Sequence, residues 1–299
     1  MGAAMAIDGL KRVLGLPAVA FIAVGMTIGG GIFVFTGIAL KISGPALPLA
    51  FLFAVIPVFL SMLPLAMLGS ALPVTGGNYI YPSRMVSSRL AFVGIWVYAL
   101  ATFFGQIPLY SIACARYLQV IFPDIPEAPF AAALVTFFCV INLLGVRPAA
   151  QLQAVMVLFL VGALLFFSFN GLAEAHPENF GNIFQQGAGN LFLAIALLTF
   201  TYLGSNGIIE LGQEIREPGR VIPRAYFIAF PIITILYLLV ALAVVNAVPW
   251  RTLGNVREPL VEIGRITLGR NGLYFFVIGG AVLALTTTLN ALFMLGTKS

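Results

Sequence analysis

The sequence predicts an all-α, polytopic membrane protein, and three observations carry that prediction. Apolar residues make up 61% of the 299-residue chain. Charged residues make up only 8%, against about 25% in a soluble domain. The apolar residues gather into long windows, two of which are interrupted internally by glycine: Gly25-Met26-Thr27-Ile28-Gly29-Gly30-Gly31-Ile32-Phe33 and Phe200-Thr201-Tyr202-Leu203-Gly204-Ser205-Asn206-Gly207. The formal charge of +5 comes from loop arginines, with no basic run interleaved with aromatics, so no nucleic-acid partner is expected.

A membrane crossing needs about 20 apolar residues. In chain order the windows are 14–40, 45–70, 90–120, 128–145, 149–171, 191–212, 225–248 and 271–295. The first exceeds a straight crossing, as expected for a helix interrupted around residues 29–31. The second has no charge between Ile42 and Ser83, so Pro73 and Gly76-Gly77 set its boundary. Cys114 and Cys139 lie inside windows and read as buried small hydrophobes, not a disulfide. The stretch before Lys11 carries Asp8 and no cleavage pattern, so no removable leader is expected.

Orientation follows from the cations. With a cytoplasmic N-terminus, Lys11, Arg12, Arg84, Arg89, Arg147, Arg216, Arg220, Arg224 and Lys298 fall inside, nine in all. Lys41, Arg251, Arg257, Arg265 and Arg270 fall outside, with Arg116 near the outer end of the third span and expected to snorkel outward. The arginine-rich outer segment 251–270 has Val256, Leu260 and Ile263 at helical spacing, which predicts an amphipathic helix over the outer vestibule. His176, in an acidic outer loop, reads as a surface residue.

The interruptions are where chemistry is expected. Lipid offers no partner to freed backbone groups, so a broken span is tolerated only where a cavity or solute satisfies them. Three successive glycines cost a helix about 1 kcal/mol each relative to alanine. Unwinding there leaves the amides of Gly30, Gly31 and Ile32 at the positive end of the following half-helix, which favours a carboxylate. At the second break, carbonyls ending the preceding half-helix would accept from an ammonium group. Both together suit an α-amino acid. Phe200 is placed to lie over it as a lid. The alternative is that the glycines serve close helix packing.

At these residues the chain resembles the amino acid–polyamine–organocation transporters. The resemblance rests on four ordered stretches: Gly25-x-x-Ile28-Gly29-x-Gly31-Ile32-Phe33; Leu68-Gly69-Ser70-Ala71-Leu72-Pro73 with Gly76-Gly77-x-Tyr79-x-Tyr81; Tyr202-x-Gly204 with the run from Glu210 to Ala225; and Thr287-Thr288-x-Asn290-Ala291. It implies a leucine-transporter-type fold of inverted five-helix repeats with helices 1 and 6 broken. Residues 1–172 would then be the first repeat and 188–299 an incomplete second. It implies that Gly30 and Gly31, next to Gly29, hold the substrate carboxylate, and that carbonyls of Thr27, Phe200 and Leu203 take the amine. Gly204 completes the second break, and Asn206 falls where some members carry a polar side chain near substrate. Many members have serine where this chain has Gly30.

The resemblance also implies a choice of driving ion. Proton-linked members place a lysine on the fifth helix; here that position is Leu160. Ala284, Thr287 and Thr288 match the eighth-helix half of a sodium site that the carbonyls of Gly25 and Ile28 would complete. In the bland reading, the threonines bond back to their own helix. Sodium symport, proton coupling and exchange all stay open, with Na+ the one ion for which a site is suggested and no other cofactor expected. Glu210, inside the sixth span, is either functional or solvated at the inner surface, and the charges from Glu214 to Arg224 read as a solvated helix end.

The expected function is therefore secondary transport of a neutral amino acid across the cell membrane, with lipid and the solute as partners and no protein partner readable. The resembled family has more spans than eight, so the chain is expected to be a truncated form, inactive alone. An enzyme is not expected: there is one histidine, no His-x-x-x-His, no paired intramembrane aspartate and no Gly-x-Ser-x-Gly. A channel lined by the same breaks and a non-transporting scaffold are the competing classes.

Overall fold

The computed structural model describes residues 12–173, 176–253 and 259–296. The expectations that rest on Asp8, Lys11, Val256, Arg257 and Lys298 lie outside these residues. The described chain is helical, with two isolated β-bridges, Leu14 with Ile215 and Thr75 with Leu211.

The first crossing is split into α1 (Leu16–Thr27) and α2 (Gly31–Ser43). Gly44, at φ 57°, turns the chain into α3 (Leu47–Ala71), the second crossing. The short α4 (Gly77–Met85) leads to the third, α5 (Ser88–Leu100) and α6 (Ile107–Gln119), joined by a π-helical stretch at Ala101–Gln106. Then come α7 (Glu127–Leu143) and α8 (Val146–Gly171). The sixth crossing begins with α9 (Ala188–Thr199) and continues through 3-10 turns Phe200–Tyr202, Ser205–Glu210 and Gly212–Glu214. The seventh is α10 (Pro218–Ala247). After α11 (Pro259–Thr267), the eighth is α12 (Gly269–Phe276) and α13 (Leu283–Gly296), joined by π-helical Val277–Val282.

Six continuous helical stretches are long and apolar enough to cross a bilayer. With α7 and the split first crossing, they account for all eight windows, and the chain is a multi-pass membrane protein. The core lies where α1, α3, α8 and α10 meet. Small residues allow that packing: a Cβ on Gly171 would come within 2.9 Å of the Ala243 methyl. By contrast α5 and α7 bury few side chains, and Leu90, Phe92, Val97, Phe104 and Leu143 face outward, as lipid-facing residues do.

In the described part of the arginine-rich segment, Leu260 and Ile263 share the buried face that their spacing predicts. In α11, Leu260, Val261 and Ile263 are buried while Arg265 is exposed and pairs with Glu262 at 3.6 Å. Its Pro259 lies against α2 at Gly37, where a Cβ would come within 2.6 Å of the proline ring. Arg116 is exposed and meets Glu127 at 3.3 Å. His176 is half-exposed beside Glu178, at 3.0 Å. Both cysteines are free.

Candidate solute site at two facing helix breaks

The first break comprises residues 28–30. The Gly29 amide, which a continuous helix would direct to the Gly25 carbonyl, instead bonds the Thr27 carbonyl at 2.9 Å. That turn releases the Gly25 carbonyl from its helical partner. When α2 begins at Gly31, its first amides, around Gly30, Gly31 and Ile32, have no acceptor within the helix. The positive end predicted from the glycine triplet is therefore present at mid-span.

The second break differs from its prediction. It falls at Leu203 and Gly204, while Ser205, Asn206 and Gly207 already belong to the following 3-10 turn. Leu203 is extended, and Gly204 sits at φ 138°, ψ −46°, a conformation that only glycine adopts without strain. The Phe200 carbonyl is engaged by the Leu203 amide at 3.3 Å. Asn206 is half-buried.

The two breaks touch. A Cβ on Gly204 would lie 2.5 Å from the Met26 carbonyl oxygen and 3.2 Å from Thr27 Cα. Gly31 faces Thr201, with 3.7 Å from a built Cβ to the Thr201 Cα. Between them stands the fully buried Tyr237 of α10, whose hydroxyl lies 3.0 Å from the Thr27 carbonyl and 3.1 Å from the Thr201 carbonyl. One hydroxyl proton is shared between a carbonyl of each broken span. The Tyr237 ring is locked in turn by Phe51 and Tyr202, at centroid distances of 5.4 and 5.0 Å. Tyr202 donates to the Phe51 carbonyl at 3.0 Å. Sequence reasoning missed Tyr237; its only signal was a hydroxyl in the middle of an otherwise apolar span.

This geometry bears on each expected ligand. Thr27 O already accepts from Gly29 and Tyr237, so in this conformation it is the most occupied of the carbonyls predicted for an amine. Phe200 and Leu203 are both exposed, and Phe200 meets Phe35 edge-on at 5.4 Å, so this aromatic pair stands at the open side of the breaks. Above Gly30, Leu285 of α13 fills the space a side chain would need: a Cβ there would be 2.5 Å from Leu285 Cδ2 and 3.6 Å from Tyr110. The absent serine is thus explained by its neighbour, because leucine occupies the room.

The eighth-helix residues reach the first break. A Cβ on Gly29 would be 2.5 Å from Thr288 Oγ1. Thr287 and Thr288 each donate to the Ala284 carbonyl at 3.0 Å, the back-bonding of the bland reading. Donation uses the hydroxyl protons and leaves their lone pairs available, so the oxygen set Ala284, Thr287, Thr288, Gly25 and Ile28 fits a hard cation by chemistry. Leu160, fully buried, presents no competing charge. Two residues beyond Thr288 on α13, Asn290 links three helices: it donates to the Ala149 carbonyl at 3.0 Å and Gln153 Oε1 at 2.8 Å, and accepts from Asn142 at 3.1 Å.

The C-terminal end of the sixth crossing corrects two expectations. Glu210 is fully buried, not solvated, and Glu214 is 2% exposed. The Glu214 carbonyl accepts the amides of Val13 and Leu14, both at 2.9 Å, and the Arg216 amide returns to the Leu14 carbonyl at 2.8 Å. Beyond Glu214 the charged side chains are solvated as expected: Arg216, Glu217, Arg220 and Arg224 are exposed, and Glu217 pairs with Arg220 at 3.6 Å.

A multi-span bundle whose two interrupted helices meet backbone to backbone defines a multi-pass membrane protein, with a candidate site where the breaks face each other. The comparisons narrow that class. Residues 18–299 match the model of the amino acid permease family, and the chain belongs to that family. It is 26% identical to a branched-chain amino acid permease of Bacillus subtilis, over 94% of this chain and 64% of the relative. It is 27% identical to a methylthioribose transporter of the same organism, over 95% and 65%. It is 28% identical to the Asc-type amino acid transporter 1 of Mus musculus, over 93% and 55%. The chain thus spans less than two thirds of the length of these relatives.

Proposed function

We propose that this chain carries the substrate site of a secondary amino acid transporter that works by alternating access in the cell membrane, with its N-terminus in the cytoplasm. The observation that carries the proposal is the contact between the two breaks. Helix-start amides at Gly30 and Gly31 and the carbonyl end at Phe200 and Leu203 sit side by side, with Gly204 against Met26 and Thr27 and Gly31 against Thr201 as the close-approach points, Gly29 turned to Thr288, and Asn206 one turn away. Amides and carbonyls at one place suit a molecule bearing carboxylate and ammonium on one carbon.

A neutral side chain is favoured because the residues around the breaks, Tyr110, Tyr237, Leu285, Thr201 and Met26, carry no charge. The nearest buried acid, Glu210, is turned to the amide of Asn78. The test is uptake of labelled leucine, alanine, arginine and putrescine by the full-length protein in proteoliposomes. Saturable uptake of leucine or alanine is expected. Preference for arginine or putrescine overturns the neutral substrate, unsaturable flux favours a channel, and absence of binding and flux favours a scaffold.

Sodium is the second reading, for the driving ion. It is favoured by the release of the Gly25 carbonyl and by Thr288 Oγ1 lying over Gly29. Uptake that ignores an imposed sodium gradient removes it.

A further inference from the structure

The first, fifth and seventh crossings run in the same direction, and their helices α1, α8 and α10 pack on one another. Between them lies an open groove of about 330 Å³ whose lining residues are all apolar. Leu16 and Phe21 of α1, Val157 and Leu158 of α8, and Ile228 and Ile232 of α10 form its walls. Leu158 is 59% exposed, and Ile228 and Ile232 are each 40% exposed, so the groove opens on the lipid side of the bundle. Leu16 is the first residue of α1, so the groove also reaches the end at which these helices start.

Arginines gather at that end. On α10, Arg224 stands one turn before Ile228 and two before Ile232. On α8, Arg147 stands three turns before Leu158. These spacings set each arginine on the groove side of its helix. Arg12 leads into Leu16, and its carbonyl accepts Arg216 Nε at 3.2 Å, which brings a fourth guanidinium to the start of α1. All four arginines are exposed. Among the described residues of these segments the one exposed acid is Glu217, already 3.6 Å from Arg220, while Glu210 and Glu214 are buried. The starts of α1, α8 and α10 add the positive ends of three helices.

We propose that this groove binds one anionic phospholipid, with an acyl chain between α1, α8 and α10 and the phosphate among Arg12, Arg147, Arg216 and Arg224. Any alkyl chain suits the apolar walls; the arginines supply the preference for a headgroup. Guanidinium pairs with phosphate through two parallel hydrogen bonds, and basic pockets between helices at the membrane surface recognise anionic headgroups. A zwitterionic headgroup brings its own cation into the same corner and gains less. The lengths agree. Arg224 to Ile232 is roughly 12 Å along the helix and Arg147 to Leu158 roughly 16 Å, close to the roughly 15 Å of hydrocarbon in one leaflet. Bound there, the lipid braces α1, the half-helix that ends at the first break, against α8 and α10. The site stands whether or not the solute is an amino acid.

Native mass spectrometry of the delipidated full-length protein tests it, with dioleoylphosphatidylglycerol and dioleoylphosphatidylcholine added in equal amounts. One phosphatidylglycerol is expected to be retained about tenfold over phosphatidylcholine. Arg224→Gln and Arg147→Gln should each cut that preference about fivefold. Arg89→Gln should leave it unchanged, because α5 starts at the same end and does not line the groove. Ile228→Trp fills the groove and should lower retention of both lipids. If that variant fails to fold, Leu158→Trp, at the more exposed position, replaces it. Equal retention of the two lipids overturns the proposal. So does a preference that both groove arginine variants leave intact, or that Arg89→Gln lowers as far, since either result means a diffuse basic face. Phosphatidylglycerol retained as before behind a tryptophan-filled groove overturns it as well, by placing the lipid elsewhere.

Discussion

The two helix breaks solve one problem in different ways. After residues 28–30 the chain resumes as a regular α-helix, Gly31–Ser43, in which hydrogen bonding is self-contained. After Leu203 and Gly204 it resumes only as 3-10 turns, Ser205–Glu210 and Gly212–Glu214, which depend on neighbours. Those neighbours are the 13–14 and 75–78 segments, bonded to it through backbone and through Glu210. The first break is thus a local interruption in a rigid rod. The second opens a stretch whose shape is on loan from the loops around it, and a segment held that way is the one that can be released. Tyr237 couples the two by touching a carbonyl of each.

The contrast can be broken most severely at Gly204. Its φ of 138° and the 2.5 Å from a built Cβ to the Met26 carbonyl make Gly204→Ala costly twice over, about 3 kcal/mol or more in total. Gly31→Ala meets nothing closer than 3.5 Å and should be nearly silent for stability. Thermal unfolding followed by size-exclusion in detergent checks the pair; equal losses would mean that the breaks are equivalent.

A smaller effect is expected at Gly30→Ser, which should destabilise by about 1–3 kcal/mol because Leu285 must move. Leu285→Ala in the same chain should recover much of that loss, whereas independent sites would add. The double-mutant cycle measures the coupling, and binding assays on the pair show whether a hydroxyl at Gly30 tightens carboxylate recognition.

Tyr237→Phe should cost about 1–2 kcal/mol and weaken amino acid binding, since it releases two carbonyls, one in each break. Tyr202→Phe, which releases only the Phe51 carbonyl, should leave binding near wild type. If both variants bind alike, Tyr237 is ordinary core and the breaks are not joined through it. The smallest effect belongs to Arg220→Ala. Its exposed pair with Glu217 should contribute under about 0.5 kcal/mol, with transport unchanged. A large loss would mean that the Glu217–Arg220 pair does more than sit in solvent.

Much of this was legible in the order of residues. The eight crossings follow from apolar runs, because lipid demands a fixed length of apolar helix. The breaks at Gly29-Gly30-Gly31 and near Gly204 follow from glycine where no helix gains from it. The amphipathic α11 follows from Leu260 and Ile263 at helical spacing. What could not be read is of one kind. Nothing local distinguishes Tyr237 from a packed aromatic, Glu210 from a surface acid, or Leu285 from any lipid-facing leucine. Each acquires its role from a partner more than thirty residues away, or from one on another helix.

The sequence alone determined that this chain lives in a membrane, how often it crosses, and where its helices give way. Those outcomes depend on each segment's own exchange of water for lipid and on its own backbone. Only the tertiary structure decided that the two weak points meet, that a tyrosine bridges them, and that the buried Glu210 holds the 75–78 loop. Such facts reside in distances between segments, and a linear order of side chains does not contain them.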